Sequence, residues 1–428
     1  MNRFKKVIAL MLIVVLSMAS VGAVQATSIE GEDISPNVYA RNTKSVAVAG
    51  WNGSGKRWQY FEKDATGNLV PVSGWRNVAK KRFYFDPADD NYAASGLKQI
   101  GKKTYYFEAK GGVGVFGAMV IGWKKVGKKS YYFKKTGGVG VKGEMLLGWQ
   151  KNGKRTFYFK KTGALGEKGQ LLTGWQNTGK KSYYFKKTGA EGTKGMMLTG
   201  LLKLSGKIYY ADKKGAMQKN KWVKIANDWY YFDKNGEALR GGWKYVGGYK
   251  FYFAKNGKLD QDVRDMVRGP YAATVNRRSC VVTIYAKDGN RGYTIPVKAF
   301  ACSVGLPGTP TPTGTFYTPA KYRVHELMGP SWGQYCTRIV GGVLFHSVAG
   351  TRNIPYNISA GAYNNLGNPA SHGCVRLCVR DAKWIYDNCS LGMRVTISDN
   401  AYQPFDKPAT IKIPASQNWD PTDPGVRR

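Results

Sequence analysis

A unit of 21 to 26 residues recurs along the first half of the chain, as in GWKKVGKKSYYFKKTGGVGVKGEMLL, which begins at Gly122. Eight of the nine units begin with Gly-Trp or Gly-Leu, the unit at Trp222 begins with Lys-Trp, and most continue through Gly-Lys into an aromatic run. Self-similarity at such a period indicates a repeat architecture, so it determines the expected fold of everything it covers. The nine positions are Trp51, Trp75, Leu97, Trp123, Trp149, Trp175, Leu201, Trp222 and Trp243.

The sequence of each unit predicts a β-hairpin. Its aromatic run, SYYF in the unit from Gly122, favours a strand, and the Gly-Lys and Lys-Thr-Gly segments around it are typical of turns. One hairpin cannot bury its own aromatic face, whereas a stack of hairpins can. We therefore expect residues 48–260 to form an elongated β-solenoid of about nine hairpin repeats.

The first residues of the chain have the pattern of a secretory signal peptide. MNRFKK carries three positive charges, an apolar stretch runs from Val7 to Leu16, and small residues lead to Ala26. We expect residues 1–26 to be removed and the protein to be secreted, with no stable membrane span after cleavage. The alternative is an uncleaved anchor, because residues 17–24 are also fairly apolar.

The positive charge is concentrated in the repeats. The formal net charge is +39, and residues 101–200 hold 21 Lys and Arg against 4 Asp and Glu. Such a field attracts polyanions and is screened by salt. Since export argues against nucleic acid, we expect the partner to be an acidic polymer outside the cell.

The composition changes at residues 262–270, where lysine thins out and proline and cysteine appear. We place a second domain at residues 268–398, with a C-terminal tail at 399–428. Alternating and apolar runs predict a mostly β domain, in which DAKWIYDNC forms one short helix. The predicted strands cover residues 280–286 and 293–303, the GGVLFHSV segment that contains His346, and the RVTI segment near the end.

All six cysteines lie in this second domain. If Cys374 is reserved for chemistry, five remain, so at most two disulfides can form. The sequence does not assign the pairs among Cys280, Cys302, Cys336, Cys378 and Cys389.

The stretch PASHGCVRL raises the question of a catalytic thiol. A cysteine nucleophile acts as a thiolate, and an imidazole can take its proton and later protonate the leaving amine. The candidate bases are His325, His346 and His372. Residues His372 to Cys374 form a glycine-containing turn whose amides can converge on an oxyanion.

The repeats resemble the aromatic cell-wall-binding repeats of Gram-positive surface proteins, a family that includes choline-binding modules. Gly-Trp and Tyr-Tyr-Phe carry this resemblance over about half of the chain. It implies attachment to teichoic acid or wall glycan, and the positive charge favours an anionic polymer over choline. We expect most of the aromatics to be hairpin core. The candidate wall-binding residues are Trp123, Trp149, Trp175, Tyr131, Tyr132, Tyr183 and Tyr184.

The second domain resembles the YkuD-type L,D-transpeptidase family over about residues 268–398. The motif is an upstream histidine, His346, followed by Ser-His-Gly-Cys from Ser371 to Cys374, and then Val-Arg. The 24 residues between His346 and Ser371 exceed the shortest versions in the family, and we interpret residues 358–366 as an inserted lid or loop. His372 is the alternative base, and His325 is interpreted as part of a lid or as structural.

This resemblance implies specific roles. Cys374 is the nucleophile and His346 the general base and acid, oriented by the backbone carbonyl of Ser347. The amides of His372, Gly373 and Cys374 form an oxyanion hole, and Arg376 binds a substrate carboxylate beside Ser371.

The implied reaction transfers an acyl group between peptidoglycan stem peptides, releasing D-Ala and forming 3-3 crosslinks. No metal and no organic cofactor is required, because backbone amides polarise the carbonyl. Two alternatives remain, an L,D-carboxypeptidase with the same site and a non-catalytic wall-binding surface protein.

Overall fold

The computed structural model describes residues 47–138 and 140–426, and the predicted signal peptide lies outside these described residues. The prediction of a mainly β protein is confirmed, since strands, turns and loops make up nearly all of the described chain. The chain divides into two compact units. Of the described residues, those up to Arg76 together with Tyr84–Ala93 form the first unit, and Asn77–Phe83 together with those from Ala94 onward form the second.

The first six strands are β1 Gly50–Ser54, β2 Arg57–Lys63, β3 Leu69–Pro71, β4 Gly74–Val78, β5 Lys81–Asp86 and β6 Tyr92–Ala93. In the first unit, β1, β2 and β3 form an antiparallel sheet in which Trp51 lies opposite Tyr60. The ring of Trp51 packs 5.2 Å from that of Tyr60 and 5.7 Å from that of Phe85, centroid to centroid. Aromatic residues of these first repeats therefore form the core of the first unit.

The repeats of the second unit are two-stranded antiparallel hairpins, as predicted. In each hairpin the tryptophan, or its leucine replacement, lies opposite an aromatic residue of the second strand, as Trp123 lies opposite Tyr132. The hairpins are β7 Gly96–Ile100 with β8 Lys103–Phe107, β9 Gly122–Val126 with β10 Lys129–Phe133, β11 Gly148–Asn152 with β12 Arg155–Phe159, β13 Gly174–Thr178 with β14 Lys181–Phe185, β15 Gly200–Leu204 with β16 Lys207–Ala211, β17 Lys221–Ile225 with β18 Asp228–Phe232, and β19 Gly242–Val246 with β20 Tyr249–Phe253.

Backbone hydrogen bonds join each hairpin to its neighbour. The segment after β10 returns to the preceding hairpin, where the Met145 amide donates to the Thr104 carbonyl at 2.8 Å. The same bond recurs one repeat later between Leu171 and Ser130, also at 2.8 Å. Phe133 is fully buried between these layers. The predicted stacking of hairpins is therefore confirmed, and it buries the aromatic faces that a single hairpin would expose.

The second domain contains nine strands in two sheets. One sheet has the order β23-β22-β21-β29-β24, and the other has the order β25-β26-β27-β28, in which β27 and β28 run parallel. The strands are β21 Tyr271–Asn276, β22 Val281–Ala286, β23 Ile295–Ala301, β24 Gly314–Tyr317, β25 Lys321–Glu326, β26 Trp332–Val340, β27 Val343–Ser347, β28 Val375–Leu377 and β29 Arg394–Ser398.

The predicted helix is present as Val379–Asn388 (α2), but the structure adds a one-turn helix, Ala360–Asn364 (α1). This helix lies within residues 358–366, for which the sequence predicts an inserted lid or loop. Tyr363 is 1% exposed and packs with Ile358 and Leu366 in a hydrophobic cluster, so the segment is part of the folded domain.

The segment predicted as a tail is packed against the same domain. Ile413 exchanges two 2.8 Å hydrogen bonds with the side chain of Asn364, and Asp420 is 2% exposed. Phe405 lies in a hydrophobic cluster that also contains Phe251 of the last hairpin. The described part of the segment thus contributes to the core. The six cysteines are free thiols in this structure.

Candidate active site

His346 lies in β27 and is 1% exposed. Its Nδ1 donates a hydrogen bond to the Ser347 carbonyl at 2.6 Å, which fixes the tautomer and leaves Nε2 as an acceptor. Burial, together with the nearby charge of Arg376, lowers the pKa of the His346 imidazole to about 4. At neutral pH the ring is therefore uncharged and can accept a proton.

Gly333, in the neighbouring strand β26, allows the His346 ring to pack closely. A Cβ atom at this glycine would lie 3.0 Å from His346 Nδ1 and 3.1 Å from the Cys336 sulfur. The site thus depends on a glycine behind the histidine. No motif in the sequence distinguishes this glycine from the other 53.

The turn that carries Cys374 is held from within by Ser371, which is fully buried. Ser371 Oγ donates to the Cys374 carbonyl at 2.6 Å and accepts from the Gly373 amide at 3.2 Å. Gly373 has a φ of +115°, a conformation that side chains rarely adopt, so glycine is required there. The serine and the glycine thereby shape the turn that presents the thiol.

The Cys374 thiol is half-buried and donates to the Gly342 carbonyl at 3.5 Å. Burial raises the pKa of this thiol, while the charges of Arg376 and Arg338 offset part of the increase. Cys374 is therefore protonated at neutral pH in this structure, beside an uncharged His346.

Arg376 lies in β28 directly opposite His346 of β27. Its Nη1 donates to the Ala370 carbonyl at 2.7 Å, and its Nε is buried without a hydrogen-bond partner in the described structure. Burial lowers the pKa of the Arg376 guanidinium, which nevertheless keeps its charge. A buried N–H donor without a partner is costly, so binding of a ligand that brings a hydrogen-bond acceptor to Arg376 Nε would be favoured.

A cavity of about 400 Å³ joins these groups. His346, Cys374, Arg376 and the exposed His372 all line it. Ser371, Ser347 and Gly373 do not line it, and their role is to support the residues that do. The β25 and β26 hairpin forms another wall, including His325, which the sequence analysis interpreted as part of a lid or as structural.

The candidate oxyanion hole differs in one respect from the expectation. The Gly373 amide already donates to Ser371 Oγ, so it is not free to bind an oxyanion in this structure. The amides of His372 and Cys374 remain as candidates.

Arg338 is a charged cavity residue that no sequence motif indicates. It lies near the C-terminal end of β26, and the pairing of β26 with β27 brings it to the cavity.

The candidate wall-binding aromatics differ in exposure. Trp149 and Trp175 are 38% and 39% exposed, whereas Tyr131 is 1% exposed and donates to the Gly166 carbonyl at 2.5 Å. The assignment of Tyr131 to a binding face is therefore wrong, because its hydroxyl joins two repeats inside the core. Tyr184 is also buried, and the remaining candidates Trp123, Tyr132 and Tyr183 are half-buried.

The exposed tryptophans lie between neighbouring hairpins. The ring centroid of Trp149 is 4.7 Å from that of Tyr158 in its own hairpin and 4.8 Å from that of Tyr183 in the next. Trp175 makes the equivalent contacts with Tyr184 and Tyr209, at 4.9 and 5.0 Å. Each tryptophan ring therefore contacts aromatic rings of two neighbouring repeats.

Within residues 47–138 and 140–426, no helix is long and apolar enough to span a membrane. The same residues contain no cluster of three or more His, Cys, Asp or Glu side chains arranged to hold a metal ion.

Comparison with known proteins gives matches for both regions. Residues 270–397 match the YkuD family, described as the L,D-transpeptidase catalytic domain. Residues 121–138, 173–190 and 220–238 match a choline-binding family described as "Putative cell wall binding repeat".

A curated relative, "Putative L,D-transpeptidase YciB" of Bacillus subtilis (strain 168), is 35% identical over 127 residues, which cover 27% of this chain. The match spans 59% of the length of that relative.

Among solved structures, CbpJ from Streptococcus pneumoniae TIGR4 is 26% identical, with a TM-score of 0.39, over 48% of this chain and 70% of that one. The autolysin LytC from Streptococcus pneumoniae is 20% identical, with a TM-score of 0.34, over 61% of this chain and 50% of that one. By the two family matches, residues 270–397 are similar to the YkuD L,D-transpeptidase catalytic domain, and the hairpins before them are similar to choline-binding-type cell wall repeats.

Proposed function

We propose that the protein is a secreted peptidoglycan L,D-transpeptidase that forms 3-3 crosslinks through Cys374 and is retained at the wall by its repeats. The observation that carries the proposal is the shared cavity, in which a buried, uncharged His346 of fixed tautomer and the Cys374 thiol both face the same space. A nucleophile needs such a base within reach.

In the first half-reaction, the Cys374 sulfur attacks the carbonyl carbon of the third stem residue, and its proton passes to His346 Nε2. The amides of His372 and Cys374 stabilise the oxyanion. The C–N bond to D-Ala then breaks, His346 returns the proton to the leaving amine, and a thioester remains on Cys374.

In the second half-reaction, an amine of a neighbouring stem attacks the thioester carbonyl. His346 takes a proton from this amine, the C–S bond breaks, and the thiolate recovers the proton. The product is a 3-3 crosslink. If water attacks instead, the same site releases a tripeptide and acts as an L,D-carboxypeptidase.

Cys374 and His346 form an uncharged pair at neutral pH. Burial raises the pKa of the Cys374 thiol and lowers that of the His346 imidazole, so the proton lies on sulfur in this structure. The hydrogen bond of His346 to the Ser347 carbonyl and that of Ser371 Oγ to the Cys374 carbonyl keep both groups in place for this transfer.

The repeats supply attachment to the wall in this proposal. Exposed lysines at successive hairpin turns and the exposed Trp149 and Trp175 suit an anionic polymer such as teichoic acid. The signal-like first 26 residues support secretion. The location that follows is the cell wall.

The test of the enzyme proposal uses the purified mature chain and muropeptides with tetrapeptide stems. Mass analysis should detect D-Ala release together with crosslinked dimers, and Cys374→Ala should abolish both. Tripeptide without dimer would favour the carboxypeptidase. If wild-type protein releases no D-Ala and its Cys374 reacts with a thiol label no faster than the buried Cys378, the non-catalytic alternative gains support.

A further inference from the structure

The cavity beside Cys374 contains a second arginine that the proposed mechanism does not use. Arg338 and Arg376 both line it, and within the described residues neither has a carboxylate within ion-pair distance. Glu326 is the one carboxylate among the lining residues, and its side chain is exposed at the rim. The cavity is therefore cationic, which suits a substrate with more than one carboxylate.

Arg338 is held in place by groups that leave its charge unpaired. Its Nη1 donates to the Gly341 carbonyl, and its Nη2 donates to His325 Nε2 at 3.2 Å. The His325 ring stacks on Tyr322 with centroids 4.3 Å apart, and the Arg338 guanidinium lies 5.5 Å from the centre of the Tyr322 ring. The guanidinium has five N–H groups, so several remain to bind a substrate oxygen.

Arg376 is the residue for which the family resemblance implies a first substrate carboxylate. It lies in the strand next to His346, and its Nε is buried without a hydrogen-bond partner among the described residues. Two guanidinium groups, on different strands of one sheet, therefore line the cavity that contains the thiol.

We infer that Arg338 binds a second carboxylate of the stem peptide and thereby selects stems in which that carboxylate is free. This inference rests on the proposed function for the identity of the peptide. Besides the leaving D-Ala, a stem offers two sources of this group, the α-carboxylate of the D-Glu at position 2 and the side-chain carboxylate of a diaminopimelate at position 3. Amidation of the bound group removes the charge that pairs with the guanidinium.

An alternative role for Arg338 is purely electrostatic, since its charge also acts on the Cys374 thiol. A charge that only stabilises the thiolate changes the rate for every substrate by the same factor. A residue that binds a carboxylate discriminates between free and amidated stems.

The experiment measures binding in the absence of chemistry. Three synthetic tetrapeptides are titrated into Cys374→Ala protein by calorimetry: one with both carboxylates free, one amidated at D-Glu and one amidated at diaminopimelate. We expect one of the amidated peptides to bind about tenfold more weakly, which corresponds to one charge-assisted hydrogen bond. The amidated position that weakens binding identifies the source of the carboxylate.

The same titrations in Cys374→Ala/Arg338→Gln protein complete the cycle. The peptide with both carboxylates free should bind the double variant about tenfold more weakly than it binds Cys374→Ala protein. Amidation of the peptide should then have no further effect on binding to the double variant. Arg352→Gln, at an exposed arginine outside this cavity, serves as the matched control and should change nothing.

Three results overturn the inference: no peptide binds, amidation at both positions is without effect, or amidation weakens binding equally with arginine and glutamine at position 338. D-Ala release by the wild-type protein is measured separately. Binding that depends on Arg338 without D-Ala release would reject the proposed enzyme and leave the carboxylate site standing.

Discussion

Gly333 leaves room for the ring of His346, the proposed base. Because an added Cβ would come within 3.0 Å of His346 Nδ1, Gly333→Ala must displace the ring by a few tenths of an ångström. We expect the kcat of D-Ala release to fall about tenfold, since catalysis is sensitive to small displacements of the reacting groups. Gly308→Ala, which has no atom within 4 Å of the added Cβ, is the control. Full activity of Gly333→Ala would contradict this role.

The buried His346 also predicts a pH dependence of stability. Its pKa is about 4 in the folded protein and about 6.5 when unfolded, so between these values the unfolded chain binds the proton first. The free energy of unfolding should therefore fall as the pH drops from 6.5 to 4, by at most about 3 kcal/mol from this group. Denaturant titrations at several pH values measure it. His346→Gln should remove that part of the slope, and an unchanged slope would count against the assignment.

At the scale of elements, helix α2 receives its N-terminal cap from a distant segment. Cys378 makes no side-chain capping bond, and the Val379 amide instead donates to Asp420 Oδ2 at 2.7 Å. We expect Asp420→Ala to lower the free energy of unfolding by about 1 to 2 kcal/mol, as for other lost helix caps. Asp420→Asn keeps an acceptor and should cost less. Equal stability of the alanine variant and the wild type in urea unfolding would contradict the cap.

The hairpin elements followed from the sequence, whereas the helix cap did not. An aromatic run between glycine-containing turns predicts a strand from neighbouring residues alone, and the observed β10 and β12 match this pattern. Asp420 is 41 residues from the amide that it caps. A contact over such a separation leaves no local pattern to identify it.

At the scale of the whole molecule, Phe405 joins the last hairpin to the second domain. It is 4% exposed and packs with Phe251 of β20 and with Val281 of β22. Phe405→Ala should lower the free energy of unfolding by about 3 to 5 kcal/mol, the usual cost of a buried phenylalanine. It should also make the segment between β20 and β21 more sensitive to limited proteolysis. Ile411→Ala, at an exposed side chain, is the control, and equal protease resistance of all three proteins would refute the role.

The positive charge of the hairpin repeats predicts a salt-dependent binding of the protein to the cell wall. Lys128, Lys154 and Lys180 are exposed at successive hairpin turns. Replacing all three with glutamine should weaken binding to isolated walls at low salt and reduce its salt dependence, because fewer charges contact the polyanion. The matched triple arginine variant keeps the charge and should bind like the wild type. Salt-insensitive binding would point to aromatic sites for glycan or choline instead.

The sequence by itself determined the repeat, the hairpins and the location of the thiol and its candidate base, because period, turn residues and the Ser-His-Gly-Cys motif are local patterns. The tertiary structure decided which side chains face inward and which distant groups meet. It buried Tyr131 in the core, placed residues 358–366 and the described part of the C-terminal segment in the folded domain, and brought Arg338 to the cavity. These outcomes depend on strand register and long-range packing, which neighbouring residues do not encode.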